Sequence, residues 1–249
     1  MASWSIARLS SAVFIFCVLM SHGVADATTV NPAARWQVVL AAGDDAEPVF
    51  DNAARALGQR LAAAGVPAAN IHRLSASAGE LGTAVEPALA NVLLQRISTL
   101  PARPGDRCLI FLTSHGEQGA GLWLARSNTA VSPDELAQAL SRGCADVPTV
   151  VVVSACYSGG FAKGKMAKRN RIVLTAARND RPSFGCQVHR VYNFFDECLL
   201  SALPKSATWR AVADGSRQCV RRMERALGER PSEPQAYFGA VVANLDVGF

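Results

Sequence analysis

Residues 149–160 read TVVVVSACYSGG, and the rest of the chain is organised around them. Four valines, Val150 to Val153, run into Ser154 and Ala155 without a charged residue. A strand buried on both faces has this composition, and such strands belong to the interior of parallel sheets. At the tip of the run sits Cys156, and Ser158, Gly159 and Gly160 after it let the chain turn sharply and leave the sulfur exposed. An open α/β sheet keeps its chemistry in that position, outside the carboxyl ends of its strands. One strand earlier, residues 108–114 (CLIFLTS) form a second apolar run that ends in His115-Gly116.

Between these two runs lies one helix's worth of chain. A strand–helix–strand unit of this kind crosses over right-handed and brings both carboxyl ends to the same side of the sheet. As neighbours the two strands would lie about 4.8 Å apart, placing His115 and Cys156 within reach of proton transfer. A thiol with a free pKa near 8.5 becomes a reactive thiolate beside an imidazolium. The same imidazole can then hand its proton to a leaving amine. The backbone N–H groups of Gly116 and Cys156 are the candidates for holding a developing oxyanion. The competing reading of His plus Cys is zinc, which needs three or four ligands. Only Cys186-x-x-His189 offers a rival spacing, so no metal is expected.

The chain has 249 residues, enough for one α/β domain or two small ones, and half of them are hydrophobic. Its first 27 residues are of a different kind: Arg8, an apolar run over 11–20, and Ala25-Asp26-Ala27. This pattern reads as a secretory leader cut near Ala27, leaving a single domain over 28–249 that is periplasmic or secreted. The apolar run is shorter than the roughly 20 residues that span a bilayer, so no stable membrane anchor is expected. Export permits disulfides. Beyond Cys17 the chain carries Cys108, Cys144, Cys156, Cys186, Cys198 and Cys219. With Cys156 a free thiol, an odd number remains. Cys108, inside a buried strand, is the candidate for the second unpaired cysteine, and Cys198 with Cys219 is a possible pair. Connectivity among Cys144, Cys186, Cys198 and Cys219 stays open. The net charge of +5 equals the five basic residues Lys163, Lys165, Lys168, Arg169 and Arg171, gathered in one loop. A single clustered loop argues against a nucleic-acid-binding face.

Read in order, the chain alternates strand and helix. A strand over 36–42 leads to a helix over 49–64 that is stopped by Gly65 and Pro67. A short strand over 70–74 and a helix over 89–100 precede the strand that ends at His115. A hairpin around 122–124 follows, then a helix opened by the capping box Ser132-Pro133-Asp134-Glu135. After the Cys156 strand come a strand over 171–176, helices over 194–203 and 209–227, and a last strand over 237–242. The alternation predicts a mostly parallel sheet covered on both faces.

These residues resemble the caspase–legumain clan of cysteine peptidases, most of all the legumain-type family, peptidase family C13. The matching motifs are Ser114-His115-Gly116, then Ala155-Cys156-Tyr157-Ser158-Gly159, then Thr175-Ala176-Ala177 followed by Ser183-Phe184-Gly185-Cys186. The resemblance covers about residues 36–200 and implies a three-layer α/β/α sandwich of caspase/legumain type. It also implies an exported, bacterial-type cysteine endopeptidase acting on peptide or protein substrates, without a cofactor. Cys156 would be the nucleophile and His115 the general base and acid. Ser183, Asp51 and Arg178 would belong to the S1 pocket, an acid there favouring a basic P1 residue and Arg178 the opposite. Legumain itself has aspartate where this chain has Ser114. A transpeptidase or transamidase would use the same dyad, and a catalytically silent envelope binding module would keep only the fold. The loop 163–171 falls where caspase-type enzymes carry a cleavable linker, though a solvated loop is the plainer reading.

Overall fold

The four-valine run is a strand of the structure, and its neighbours follow from it. The computed structural model describes residues 1–4, 32–187 and 189–249. The leader expected over 1–27, with its cleavage point at Ala27, lies outside the described residues except for the first four. A seven-stranded sheet is built from β1 (Trp36–Ala42), β2 (Ile71–Ser75), β3 (Val85–Pro87), β4 (Arg107–Thr113), β8 (Thr149–Ser154), β9 (Arg171–Thr175) and β10 (Gln235–Phe238). Its order is β10-β9-β8-β4-β1-β2-β3, with only β10 antiparallel to its neighbour. A separate three-stranded antiparallel sheet contains β5 (Gly116–Glu117), β6 (Gly121–Leu124) and β7 (Thr129–Val131).

Side-chain alternation sorts the core into two layers. Leu109, Phe111, Val150 and Val152 point to the face covered by α1 (Val49–Ala63), α4 (Phe194–Ala202) and α5 (Trp209–Leu227). Ile110, Leu112, Val151 and Val153 point to the opposite face, under α2 (Ala90–Ser98), α3 (Pro133–Gly143) and the small sheet. Because β4 and β8 are packed on both faces, they read as unbroken apolar runs rather than alternating ones. The result is the three-layer α/β/α sandwich expected from the sequence. Residues 31–249 make up one compact unit. Among the described residues, no helix is long and apolar enough to cross a membrane.

Local signals set most boundaries. Ser132 Oγ accepts from Glu135 N and the Glu135 carboxylate accepts from Ser132 N, so the capping box that opens α3 is complete. Thr208 caps α5, and Gly228, at φ 71°, ends it in the left-handed conformation that suits glycine. The last strand departs from expectation: it covers Gln235–Phe238, not 237–242. Gly239 stops it, since a Cβ there would sit 2.3 Å from the carbonyl oxygens of Lys168 and Arg169, and only glycine fits the bend. The short β3 carries too few residues to leave a periodic signal.

The cysteines need one correction. Cys108 is not free; it is bridged to Cys144, with a Cα–Cα distance of 6.2 Å. Cys108 faces the α3 side of the sheet, and Cys144 closes the C-terminal end of that helix directly above it. Cys198 and Cys219 join α4 to α5 as a second disulfide. Among the described residues the free thiols are Cys156 and Cys186. The basic loop is also less uniform than its composition suggests. Arg171 is buried, donating to the Met166 carbonyl, and burial lowers its pKa to about 10. Lys165 pairs with Asp134 at 2.6 Å on the surface.

Candidate active site

Strand register brings the two sequence motifs together. Thr113 at the end of β4 lies opposite Ser154 at the end of β8, and the ladder continues one step further through Ser114 N donating to the Ser154 carbonyl at 3.1 Å. His115 and Cys156 each stand two residues past this matched pair. Two residues is one side-chain period, so both follow Thr113 and Ser154 toward the α1–α4 face. The contacts agree: the imidazole of His115 meets the ring of fully buried Phe50 edge-on, at 5.2 Å between centroids. Ser114 and Ala155, of opposite parity, turn the other way. Ser114 Oγ donates to the Trp123 carbonyl at 2.7 Å and so fastens the small sheet.

The two chain segments touch directly above the sheet. A Cβ placed on Gly116 would lie 1.9 Å from the carbonyl oxygen of Cys156, so no other residue fits there. Gly116 lies opposite Leu122, and the neighbouring bond runs from Trp123 N to the His115 carbonyl. In an antiparallel ladder this is the pair whose own N–H and C=O point away from the partner strand. The Gly116 N–H is therefore turned out of the hairpin. Tyr157, directly after the cysteine, holds φ 56°, a conformation a non-glycine residue adopts at a cost of about 1 kcal/mol. Its N–H is anchored to the Arg181 carbonyl at 2.8 Å. Gly159 then passes so close to the backbone of Arg178 and Asn179 that a Cβ would clash at 2.6 Å.

Of the residues singled out for the pocket, Ser183 is beside the sulfur. Its N–H points at Cys156 Sγ from 3.3 Å and its hydroxyl is 3.6 Å away. Asp51 is not. It is buried at the start of α1 against Ser75 and Arg73, at the end of β2, three strand spacings or about 14 Å from β8. Burial raises its carboxyl pKa, opposed by the Ser75 hydrogen bond. The helix turns Phe50 toward His115 and Asp51 away from it. Arg178 is also committed elsewhere, forked onto Asp180 at 2.7 and 2.8 Å and bonded to Glu233 at 3.1 Å. Its charge is already matched and does not argue for an acidic P1 residue.

Cys186 was named with the Ser183 motif, but its other neighbours, Glu47 and Asp196, escaped the sequence. Cys186 is a half-buried free thiol whose pKa is pushed up to about 12 by burial, with Cys156, Asp196, Glu47 and Asp44 adding to the effect. Asp44 and Glu47 thus bear electrostatically on Cys186, and Glu47 Oε2 is buried without a hydrogen-bond partner. A cavity of about 350 Å³ opens between the His-Gly hairpin and the cysteine turn, lined by Glu117, Tyr157, Phe161, Lys163 and Asn179 among others. Under the two strand tips lies Asp196, fully buried, with its pKa raised to about 7 by loss of solvation.

That last shift has a consequence for stability. A carboxyl that ionises near 4 unfolded and near 7 folded leaves stability unaffected below pH 4. Stability then falls as pH rises through the window from 4 to 7 and levels off above it. The span is on the order of 4 kcal/mol. Asp196→Asn is expected to flatten this slope, read as Tm against pH for both proteins.

A parallel sheet with helices on both faces, and with a thiol and an imidazole at the matched tips of adjacent strands, defines the caspase–legumain class of cysteine peptidases. The peptidase C13 family model matches residues 86–218, a span that includes both tips. The chain belongs to the peptidase C13 family, and this makes it a cysteine peptidase by class. No curated protein matches it in sequence.

Proposed function

We propose that the protein is an exported cysteine endopeptidase working through a Cys156–His115 dyad. The observation that carries this reading is the shared register: both side chains follow Thr113↔Ser154 by one period, on one face. His115 takes the thiol proton, and Cys156 Sγ attacks the scissile carbonyl. The N–H groups of Gly116 and Cys156 receive the oxyanion. The amine leaves with the proton from His115, giving a thioester that water hydrolyses in the reverse sequence of proton transfers. Up to the thioester, transfer to another amine follows the same path. Two disulfides support an oxidising compartment and therefore export.

The test is thiol labelling across pH 5 to 9 with iodoacetamide or an acyloxymethyl ketone. Selective labelling of Cys156 well below pH 8.5, lost in His115→Ala, is the expected result. Labelling with the profile of an ordinary thiol, or a Cys156 that is not free, overturns the dyad.

For specificity, the carboxylates of Asp44 and Glu47 favour a basic side chain in the S1 pocket, with Ser183 on its rim. Fluorogenic peptides with Arg or Lys at P1 are expected to be cut faster than Asn or Asp peptides. Glu47→Gln should lower kcat/KM on the basic substrates about ten-fold, the effect of removing one charged hydrogen-bonding partner. Equal rates across the panel would remove the basic-P1 assignment.

A further inference from the structure

Directly beneath the dyad is a closed polar cluster that the chemistry above does not use. Thr113 Oγ1 donates to Asp196 Oδ2 at 2.7 Å, and Asn193 Nδ2 donates to the same oxygen at 2.6 Å. Asn193 Nδ2 also reaches Ser154 Oγ at 3.2 Å and Thr113 Oγ1 at 3.4 Å. The Asn193 carbonyl oxygen, in turn, accepts from Asp196 N at 2.8 Å and from the Ser154 hydroxyl at 3.4 Å. All four residues are buried, and Asp196 Oδ1 has no partner.

Asn193 and Asp196 form the N-cap and first turn of α4, so part of this pattern is ordinary capping. Capping alone does not account for the other half. A cap needs the Asn193 side chain and the Asp196 N–H; it does not need the Asp196 carboxyl, nor a threonine and a serine at the ends of two strands. Thr113 and Ser154 are the register-matched last residues of β4 and β8. One backbone bond past them, from Ser114 N to the Ser154 carbonyl, the ladder ends, and His115 and Cys156 hang on short segments. The side-chain bonds that tie the two strand ends together from below run through Asn193 and the Asp196 carboxyl.

We propose that Asp196 is a positioning residue for the dyad: its carboxyl, with Asn193, fastens the matched ends of β4 and β8 to the first turn of α4 and so sets the spacing of His115 and Cys156. The proposal rests on the dyad reading above. A group that shifts a reacting pair by a fraction of an ångström changes rate without changing what the pocket binds. The loss therefore appears in kcat and not in KM. The titratable groups facing the cluster are the dyad itself, from β4 and β8, and the Cys186 thiol from the segment before α4, whose proton Asp196 helps to retain. Asp44 and Glu47, from the loop after β1, bear on the same thiol. No lysine or arginine takes part in the hydrogen bonds that hold Asp196.

The experiment compares the whole protein with Asp196→Ala, Asp196→Asn and Thr113→Val. For each, kcat and KM on one peptide and the rate of Cys156 alkylation by iodoacetamide are measured against pH. Asp196→Ala is expected to lower kcat and alkylation about ten-fold or more, with KM within about two-fold. Asp196→Asn keeps an oxygen that accepts from Thr113 and Asn193, so it is expected to recover most of the rate. Its alkylation profile should lack an inflection near neutral pH that the unmodified protein shows. Thr113→Val, which deletes one donor at constant shape, should move in the same direction as Asp196→Ala and carries the test if that variant does not fold. In a His115→Ala background, Asp196→Ala should have no further effect on alkylation, because its influence passes through the pairing. Folded Asp196→Ala or Thr113→Val with unchanged kcat and alkylation overturns the proposal, as does an asparagine variant as impaired as the alanine one. The two readings fail separately. A protein that alkylates fast at Cys156 but cleaves no peptide sinks the peptidase assignment, while the alkylation series still decides the role of Asp196.

Discussion

Cys156→Ala is expected to abolish peptide hydrolysis, with kcat/KM reduced about 10⁴-fold or more, while the protein stays folded. Removing a nucleophile that forms the covalent intermediate leaves only oxyanion stabilisation and binding, which accounts for losses of that size in comparable machinery. The fold is spared because the sulfur contributes little to packing: it is half-buried, and its contacts are polar ones to the Ser183 backbone and hydroxyl. His115→Ala should be similarly inactive. It differs in leaving the ring of Phe50 without its edge-on partner. A residual rate in His115→Ala that rises steeply toward pH 8.5 would show the unassisted thiol ionising on its own. An alanine variant of Cys156 that still cleaves would place the chemistry elsewhere.

The second large effect is expected at Gly116. Alanine there brings a methyl carbon to 1.9 Å from the Cys156 carbonyl oxygen, and the obstacle is backbone, with no flexible side chain to move aside. One of the two segments must retreat by an ångström or more. Either movement separates the imidazole from the thiol and turns the Gly116 N–H away from the oxyanion. Loss of one such donor alone lowers kcat about 10²- to 10³-fold, and the displacement of the dyad adds to it. The control is Gly119→Ala in the same hairpin: its Cβ would meet nothing within 4 Å, although its φ of 81° carries a modest strain. Gly119→Ala should therefore retain activity where Gly116→Ala loses it, measured on the same peptide at equal concentrations of folded protein.

Much of this was legible in the sequence because the decisive strands are central. Val150 to Val153 and residues 108–112 are apolar on both faces, and a doubly covered parallel sheet imposes that pattern. His115 and Cys156 stood out because each follows such a run and precedes small residues. The pocket was harder. Asp51 was a reasonable acid to expect near the site, but a helix places adjacent residues about 100° apart, and the choice between Phe50 and Asp51 facing the imidazole depends on where α1 docks. Arg178 could not be discounted without Glu233, which is far along the chain. The Asp196 cluster left the faintest trace. Asn193 and Asp196 have the spacing of a helix cap, and most caps lie in water. That this one is buried under two strand ends is a property of the packed layers, which no local spacing encodes.

The two disulfides have a further implication for how such an enzyme can be handled and where it can work. A thiol nucleophile must be kept reduced, yet this chain also depends on two oxidised cystines, so one reagent acts on both kinds of sulfur. What separates them is access. Each bridge contains at least one fully buried cysteine, Cys108 at 0 % and Cys198 at 0 % exposure, whereas Cys156 is open to the site. One bridge pins the sheet to the helix beside it, between β4 and α3, and the other stays within one helical layer, between α4 and α5. Neither bridge ties the two faces of the sheet to each other. Small reductants meet Cys156 at the site and the partly buried Cys219 at the surface, but reach the Cys108–Cys144 bridge, buried at both ends, only when α3 lifts from the sheet. A reductant strong enough to keep Cys156 free therefore threatens the α4–α5 staple first, while the staple under α3 is lost only together with the layer it holds.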